Sequence, residues 1–226
     1  MKIILFISII LVIIFSLFFR KKINSLIFGK KTVEEVIETY SKKVDDKFKP
    51  IIGEEYPPKE LYLVADKKKK ILTIYYKYSS NWKKIIEYPI LAASGELGPK
   101  LKEGDKQVPE GIYEIELLNP NSSFHLSMKI NYPNEFDRAK ALLEGRTRLG
   151  GDIFIHGKNV SIGCLAIGDE AIEELFTLVA RSVQKTKVLI LPNEELIQEE
   201  KTKYPNWITE LYENIKKEQL SQNFPK

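Results

Sequence analysis

The sequence predicts a mainly β domain with packed helices, an α+β fold. Three observations predict it. Runs rich in branched and aromatic residues recur between positions 61 and 192, separated by turn-forming stretches. A few helical patterns with one apolar stripe stand among them. The composition, 43% apolar and 29% charged over 226 residues, suits one folded domain with appendages and excludes disordered and collagen-like chains.

The elements follow in chain order. Ile3–Phe19 is apolar apart from Ser8 and Ser16, which is the short limit for a membrane-spanning helix. No small-x-small cleavage site and no lipobox cysteine follow it. Residues 1–31 therefore read as an uncleaved signal anchor with a basic flank. The basic residues after the span (Arg20, Lys21, Lys22, Lys30, Lys31) outnumber Lys2 before it, and the positive-inside tendency alone would keep the rest of the chain in the cytoplasm.

Residues 32–59 read as a helix and a linker. Val33, Val36, Ile37 and Tyr40 keep helical spacing, and Gly53 with Pro57-Pro58 breaks it. The main domain spans 60–192. LYLVAD (61–66) and ILTIYYKY (71–78) form a hairpin around a solvated turn, Lys67–Lys70. A strand over 83–93, a Gly-rich loop over 94–111, and strands over 112–118 and 123–130 come next. Asn134 can cap a helix over 135–144 that stops at Gly145. DIFIHG (152–157) and KVLILP (187–192) are strands. Between them Asp169 can cap a helix with Ile172, Leu175, Phe176 and Val179 on one face. A helical extension, 193–226, ends the chain, with Pro205 in its first turn and the helix over 205–219. Trp82 and Trp207 read as packing residues.

The net charge is +4, but six of the 35 basic residues lie in the first 31 positions, where there is no acid. The remaining 29 face 31 acidic residues, a net of −2, so the body lacks the basic surplus of a nucleic-acid-binding domain. One cysteine excludes an internal disulfide and a multi-cysteine metal site, and two histidines make a histidine-rich metal site a poor expectation. No cofactor is expected.

The chemistry concentrates in Gly150–Asp169, GGDIFIHGKNVSIGCLAIGD. His156 ends a strand, and Cys164 sits in a tight turn before a helix. A free thiol is mostly protonated near neutrality, since its pKa is about 8.5. A neighbouring imidazole and a helix N-terminus would both favour thiolate. Gly163 allows close backbone approach, and the turn Ser161-Ile162-Gly163-Cys164 would aim N–H groups at an oxyanion. This is the nucleophile-plus-base pattern of thiol acyl transfer. A lone cysteine is as readily a small buried hydrophobe and a lone histidine a structural one, so these residues alone leave both readings open.

The wider sequence resembles the L,D-transpeptidase catalytic domain (YkuD-type) family, in its short-spaced YafK-type branch. Four segments carry the resemblance, in the family's order: Gly98-Pro99-Lys100 through Gly104-Asp105 to Pro109-Glu110-Gly111 and Tyr113; SSFHLSMKINYPNEFD; GGDIFIHG; and VSIGC. Ile162, Ala166 and Val108 depart from the larger family's common residues, and the His-to-Cys spacing is about half the usual one. The resemblance implies a β-sandwich-like catalytic domain with Cys164 as nucleophile and His156 as base. It implies attack on the carbonyl after meso-diaminopimelate in a peptidoglycan tetrapeptide stem, loss of D-alanine, and a thioester acyl-enzyme. An amine on a second stem or on a protein, such as an outer-membrane lipoprotein, would resolve it. The alternative is hydrolysis on the same site, as a carboxypeptidase or a peptidoglycan–lipoprotein hydrolase. The catalytic domain would then lie outside the cytoplasm, against the charge tendency. His125 resembles a cleft residue or makes a structural hydrogen bond. Ser161 contacts substrate or supports the turn. Arg148 meets a substrate carboxylate or forms a surface ion pair.

Overall fold

The computed structural model describes residues 29–193 and 204–225. The signal-anchor reading of residues 1–31 falls almost wholly outside these residues. Among the described residues no helix is long and apolar enough to cross a membrane.

Val33–Lys226 form one compact unit. Its elements are α1 (Val33–Ile52), β1 (Leu61–Asp66), β2 (Ile71–Tyr78), β3 (Asn81–Pro89), β4 (Gly111–Ser122), β5 (His125–Ile130), α2 (Glu135–Leu143), β6 (Phe154–His156), β7 (Leu165–Ala166), α3 (Asp169–Arg181), β8 (Lys187–Leu191) and α4 (Ile208–Gln222). The fold is α+β. The strands form one mixed sheet in the order β3-β2-β1-β8-β4-β5-β6-β7. The β1/β8 and β6/β7 pairs are parallel and the others antiparallel. β4 joins the two halves: Gly111–Glu114 pair with β8, and Ile115 onward pairs with β5.

The central strands are apolar on both faces because both faces are covered. Leu61, Leu63, Val188 and Ile190 join the core beneath α1 and α3, whereas Tyr62, Leu189 and Leu191 join a second cluster beneath α4. This two-residue alternation is what a strand dictates. α1 is part of the body. It buries Val36, Val44, Phe48 and Ile52 in the first core, and Lys47 ion-pairs with the buried Glu174 of α3 at 2.7 Å.

Three expectations fail locally. β7 escapes sequence reading because two residues show no periodicity. Asp169 does not cap α3: Gly168, at φ 86°, holds that position, and the Asp169 carboxylate accepts the Lys158 N–H at 2.7 Å. Lys67 is not in solvent, although Lys68, Lys69 and Lys70 are exposed. Its ammonium reaches back under the sheet to Glu110 at 2.8 Å, with the two side chains 6% and 0% exposed. Desolvation pushes the Lys67 pKa down and the Glu110 charge pulls against it.

That pair supports a stability prediction. Glu110→Gln keeps the shape and leaves a buried cation without its counter-charge. The expected cost is about 3–5 kcal/mol, against a domain stability of about 5–15 kcal/mol. Urea unfolding measures it, and the double variant with Lys67→Met should recover most of the loss. A Glu110→Gln protein as stable as the parent contradicts the pairing.

Candidate active site

β6 organises the site. Ile155 is opposite Leu165 and His156 opposite Ala166, so the chain leaves β6 after His156, turns through 157–164, and returns alongside as β7. The Cys164 thiol donates to the Asp152 carbonyl at 3.7 Å and also interacts with the Phe154 backbone. The thiol therefore lies at one end of β6 and the imidazole at the other. Two residues along a strand span roughly 7 Å, which sets the scale of the separation.

Each ring nitrogen of His156 has a distinct place. Nδ1 lies 2.7 Å from the Gly157 carbonyl. A carbonyl only accepts, so Nδ1 carries the proton and Nε2 keeps the lone pair. Phe124 packs on the same ring, with centroids 4.6 Å apart. Gly157 is required here, because a Cβ would come within 2.5 Å of Asp169 Oδ1 and 2.7 Å of the Phe124 carbonyl.

The nucleophile turn is closed by two serines. Ser161 Oγ accepts the Cys164 N–H at 3.0 Å and donates to the Cys164 carbonyl at 2.7 Å. Ser94 Oγ accepts the Gly163 N–H at 2.6 Å and donates to the Lys106 carbonyl at 2.6 Å. Gly163 sits at φ 88°, where a side chain would be strained. Of the turn's N–H groups, those of Gly163 and Cys164 are thus engaged by hydroxyls, and an oxyanion bound by either would displace one.

The electrostatics also differ from the sequence expectation. Burial pushes the Cys164 thiol up and the Asp152 carboxylate adds to that, while the Phe154 backbone hydrogen bond and the Lys100 ammonium lower it; the net shift is upward. Burial lowers His156, against the Gly157 hydrogen bond. The helix expected to favour thiolate begins at Asp169, beyond β7, and not at the cysteine. Both shifts favour the neutral forms of thiol and imidazole.

Other candidates are placed elsewhere. His125 Nε2 lies 2.9 Å from Glu173 of α3, and its ring meets Tyr40 of α1 edge-on at 6.4 Å. It ties the sheet to the helices. Arg148 pairs with Glu103 at 2.8 Å, and its side chain is 81% exposed. Such a surface pair contributes little. Ser161 supports the turn. Sequence reading missed Ser94 and Phe124, which contact the turn and the imidazole from distant parts of the chain. Among the described residues no group of His, Cys, Asp and Glu gathers to hold a metal.

Residues 60–190 match the profile of the L,D-transpeptidase catalytic domain, YkuD. The chain belongs to this family. Among curated relatives, YafK of Escherichia coli (strain K12) is 36% identical over 121 residues, covering 53% of this chain and 47% of that protein. The chain thus matches about half the length of that relative. Among solved structures, the helical cell shape determining protein Pgp2 from Campylobacter jejuni superposes with a TM-score of 0.51 at 24% identity, over 66% of this chain and 56% of that one. The likeness to Pgp2 is one of fold. The L,D-transpeptidase domain contains both His156 and Cys164, whereas α1 and α4 lie outside the matched residues and still pack on its sheet.

Proposed function

We propose that this chain is a cysteine L,D-transpeptidase acting on peptidoglycan stem peptides. What carries the reading is the Cys164 thiol, held at the start of β6 by the Asp152 carbonyl, and the Nε2 lone pair of His156 at its end, inside a domain of that family. As substrate enters, His156 takes the thiol proton and the sulfur attacks the carbonyl after meso-diaminopimelate. The C–S bond forms and the C–N bond to D-alanine breaks. The imidazolium returns its proton to the leaving amine. An amine of a second stem, or of a protein such as a lipoprotein, then attacks the thioester and leaves the thiol free. Burial supports a base mechanism over a standing ion pair, because it raises the thiol and lowers the imidazole. This substrate places the domain in the cell envelope, with residues 1–31 as its membrane anchor.

The test is incubation of the full chain with disaccharide-tetrapeptides and with protein-linked peptidoglycan, followed by mass spectrometry. Cross-linked dimers lacking one D-alanine are the expected product. Shortened stems or released protein alone would show that water resolves the thioester and would replace the transferase reading with a hydrolase. No product from either substrate would overturn both.

A further inference from the structure

The loop that seats the nucleophile turn is gripped from below by a buried polar chain that ends on the C-terminal helix. The Tyr212 hydroxyl of α4 donates to Glu110 Oε2 at 2.8 Å, in the interior. Glu110 Oε1 accepts the Gly98 N–H at 2.6 Å and the Lys67 ammonium at 2.8 Å. The same ammonium donates to the carbonyls of Gly98 and Val108, at 2.9 and 3.0 Å, and so clamps both arms of the loop. Above the clamp, Gln107 braces the arms through Nε2 to the Gly98 carbonyl at 2.7 Å and through Oε1 to the Glu96 N–H at 2.9 Å. The upper lip is Ser94 and Lys106, where Ser94 Oγ holds the Gly163 N–H. The Gln107 carbonyl lies 3.6 Å from the point a Gly163 Cβ would occupy. The turn therefore leans on this lip.

We propose that Tyr212 is a positioning residue for Cys164, acting through Glu110 and the loop 94–108. The inference rests on Cys164 being the nucleophile. It gives α4, outside the matched family domain, a part in the reaction. The physical reason is that a buried acceptor losing its donor seeks another. Glu110 has the Gly98 N–H and Lys67 within reach, so a change at Tyr212 is passed to the loop. Small misplacements of a reacting group cost large factors in rate.

A matched control separates positioning from plain stability. Tyr62 OH donates to Glu218 Oε1 at 2.9 Å, which ties the same helix to β1 without touching the loop. Tyr212→Phe and Tyr62→Phe each delete one hydroxyl. The readout is acylation of the full chain by a carbapenem-type probe, as the limiting rate and the half-saturating concentration, alongside thermal unfolding and hydrogen exchange at the Gly98 and Gly163 amides. Tyr212→Phe is expected to lower the limiting rate about tenfold, to leave half-saturation unchanged, and to raise exchange at both amides. Tyr62→Phe is expected to match the parent in rate and exchange, even where it unfolds at lower temperature. Gln107→Ala, half-buried in the loop and away from α4, should reproduce the Tyr212→Phe rate loss if that variant folds poorly. Equal losses in the two tyrosine variants, or parental rate and exchange in Tyr212→Phe, would overturn the positioning role. A parent protein that takes no label at Cys164 would instead remove the nucleophile reading, and the exchange comparison would still decide whether Tyr212 holds the loop.

Discussion

Cys164→Ala is expected to abolish covalent labelling by a carbapenem-type probe while leaving the fold intact. The chain has one cysteine, so intact-protein mass spectrometry reports a single thiol. The variant should fold because the turn does not depend on the sulfur. Ser161 bonds the main-chain N–H and carbonyl of Cys164, and Ser94 bonds the Gly163 N–H. The thiol donates one long hydrogen bond, 3.7 Å to the Asp152 carbonyl, and otherwise meets only the Phe154 backbone among its hydrogen-bond partners. Removing it deletes one small, partly buried atom and leaves both serine bonds to the turn in place. Circular dichroism and an unchanged unfolding midpoint would establish that loss of label is loss of chemistry. Label that persists in the variant would sink the assignment of Cys164 as nucleophile.

How much was legible follows from how far each partner lies along the chain. β1 and β2 can be read directly, because side chains two residues apart share a face and the hairpin turn is short. His156 and Cys164 can be read because they lie eight positions apart and the surrounding motifs fall in the family's order. The supports of the site cannot. Ser94 meets Gly163 across 69 positions, and Phe124 reaches His156 from the tip of the β4–β5 hairpin. Nothing local marks either residue. Of the two readings of His125, the structural hydrogen bond is the one the contacts display. At φ 74° it turns to Glu173, and its neighbour Phe124 faces the imidazole. Lys67 was hidden by its company. A run of four lysines reads as solvated, yet the first lies at the end of β1, where a long stem reaches an interior carboxylate. The helix-terminus argument for a thiolate failed because β7 intervenes, and two residues give no pattern to find.

His156→Ala is expected to slow acylation about 10²–10⁴-fold, the usual cost of losing a general base. The pH dependence carries the mechanistic content. Burial lowers the imidazole pKa, so the neutral, basic form persists to the acid side of the ordinary value of about 6.5. Burial also raises the thiol, so thiolate is scarce across the neutral range. The reactive state is then neutral thiol together with neutral imidazole. Its population falls only as His156 takes up a proton, which places the acid limb of the parent's rate below about 6.5, with a level region above it. In His156→Ala no group takes the thiol proton, and the rate should climb with pH as thiolate forms by ionisation alone. Measured against pH, the two profiles should converge on the alkaline side and diverge most near neutrality. An acid limb above the ordinary imidazole value would mean that a preformed thiolate–imidazolium pair reacts, and that burial does not govern the site. A variant with near-parental rate at neutral pH would remove His156 from the proton transfer altogether.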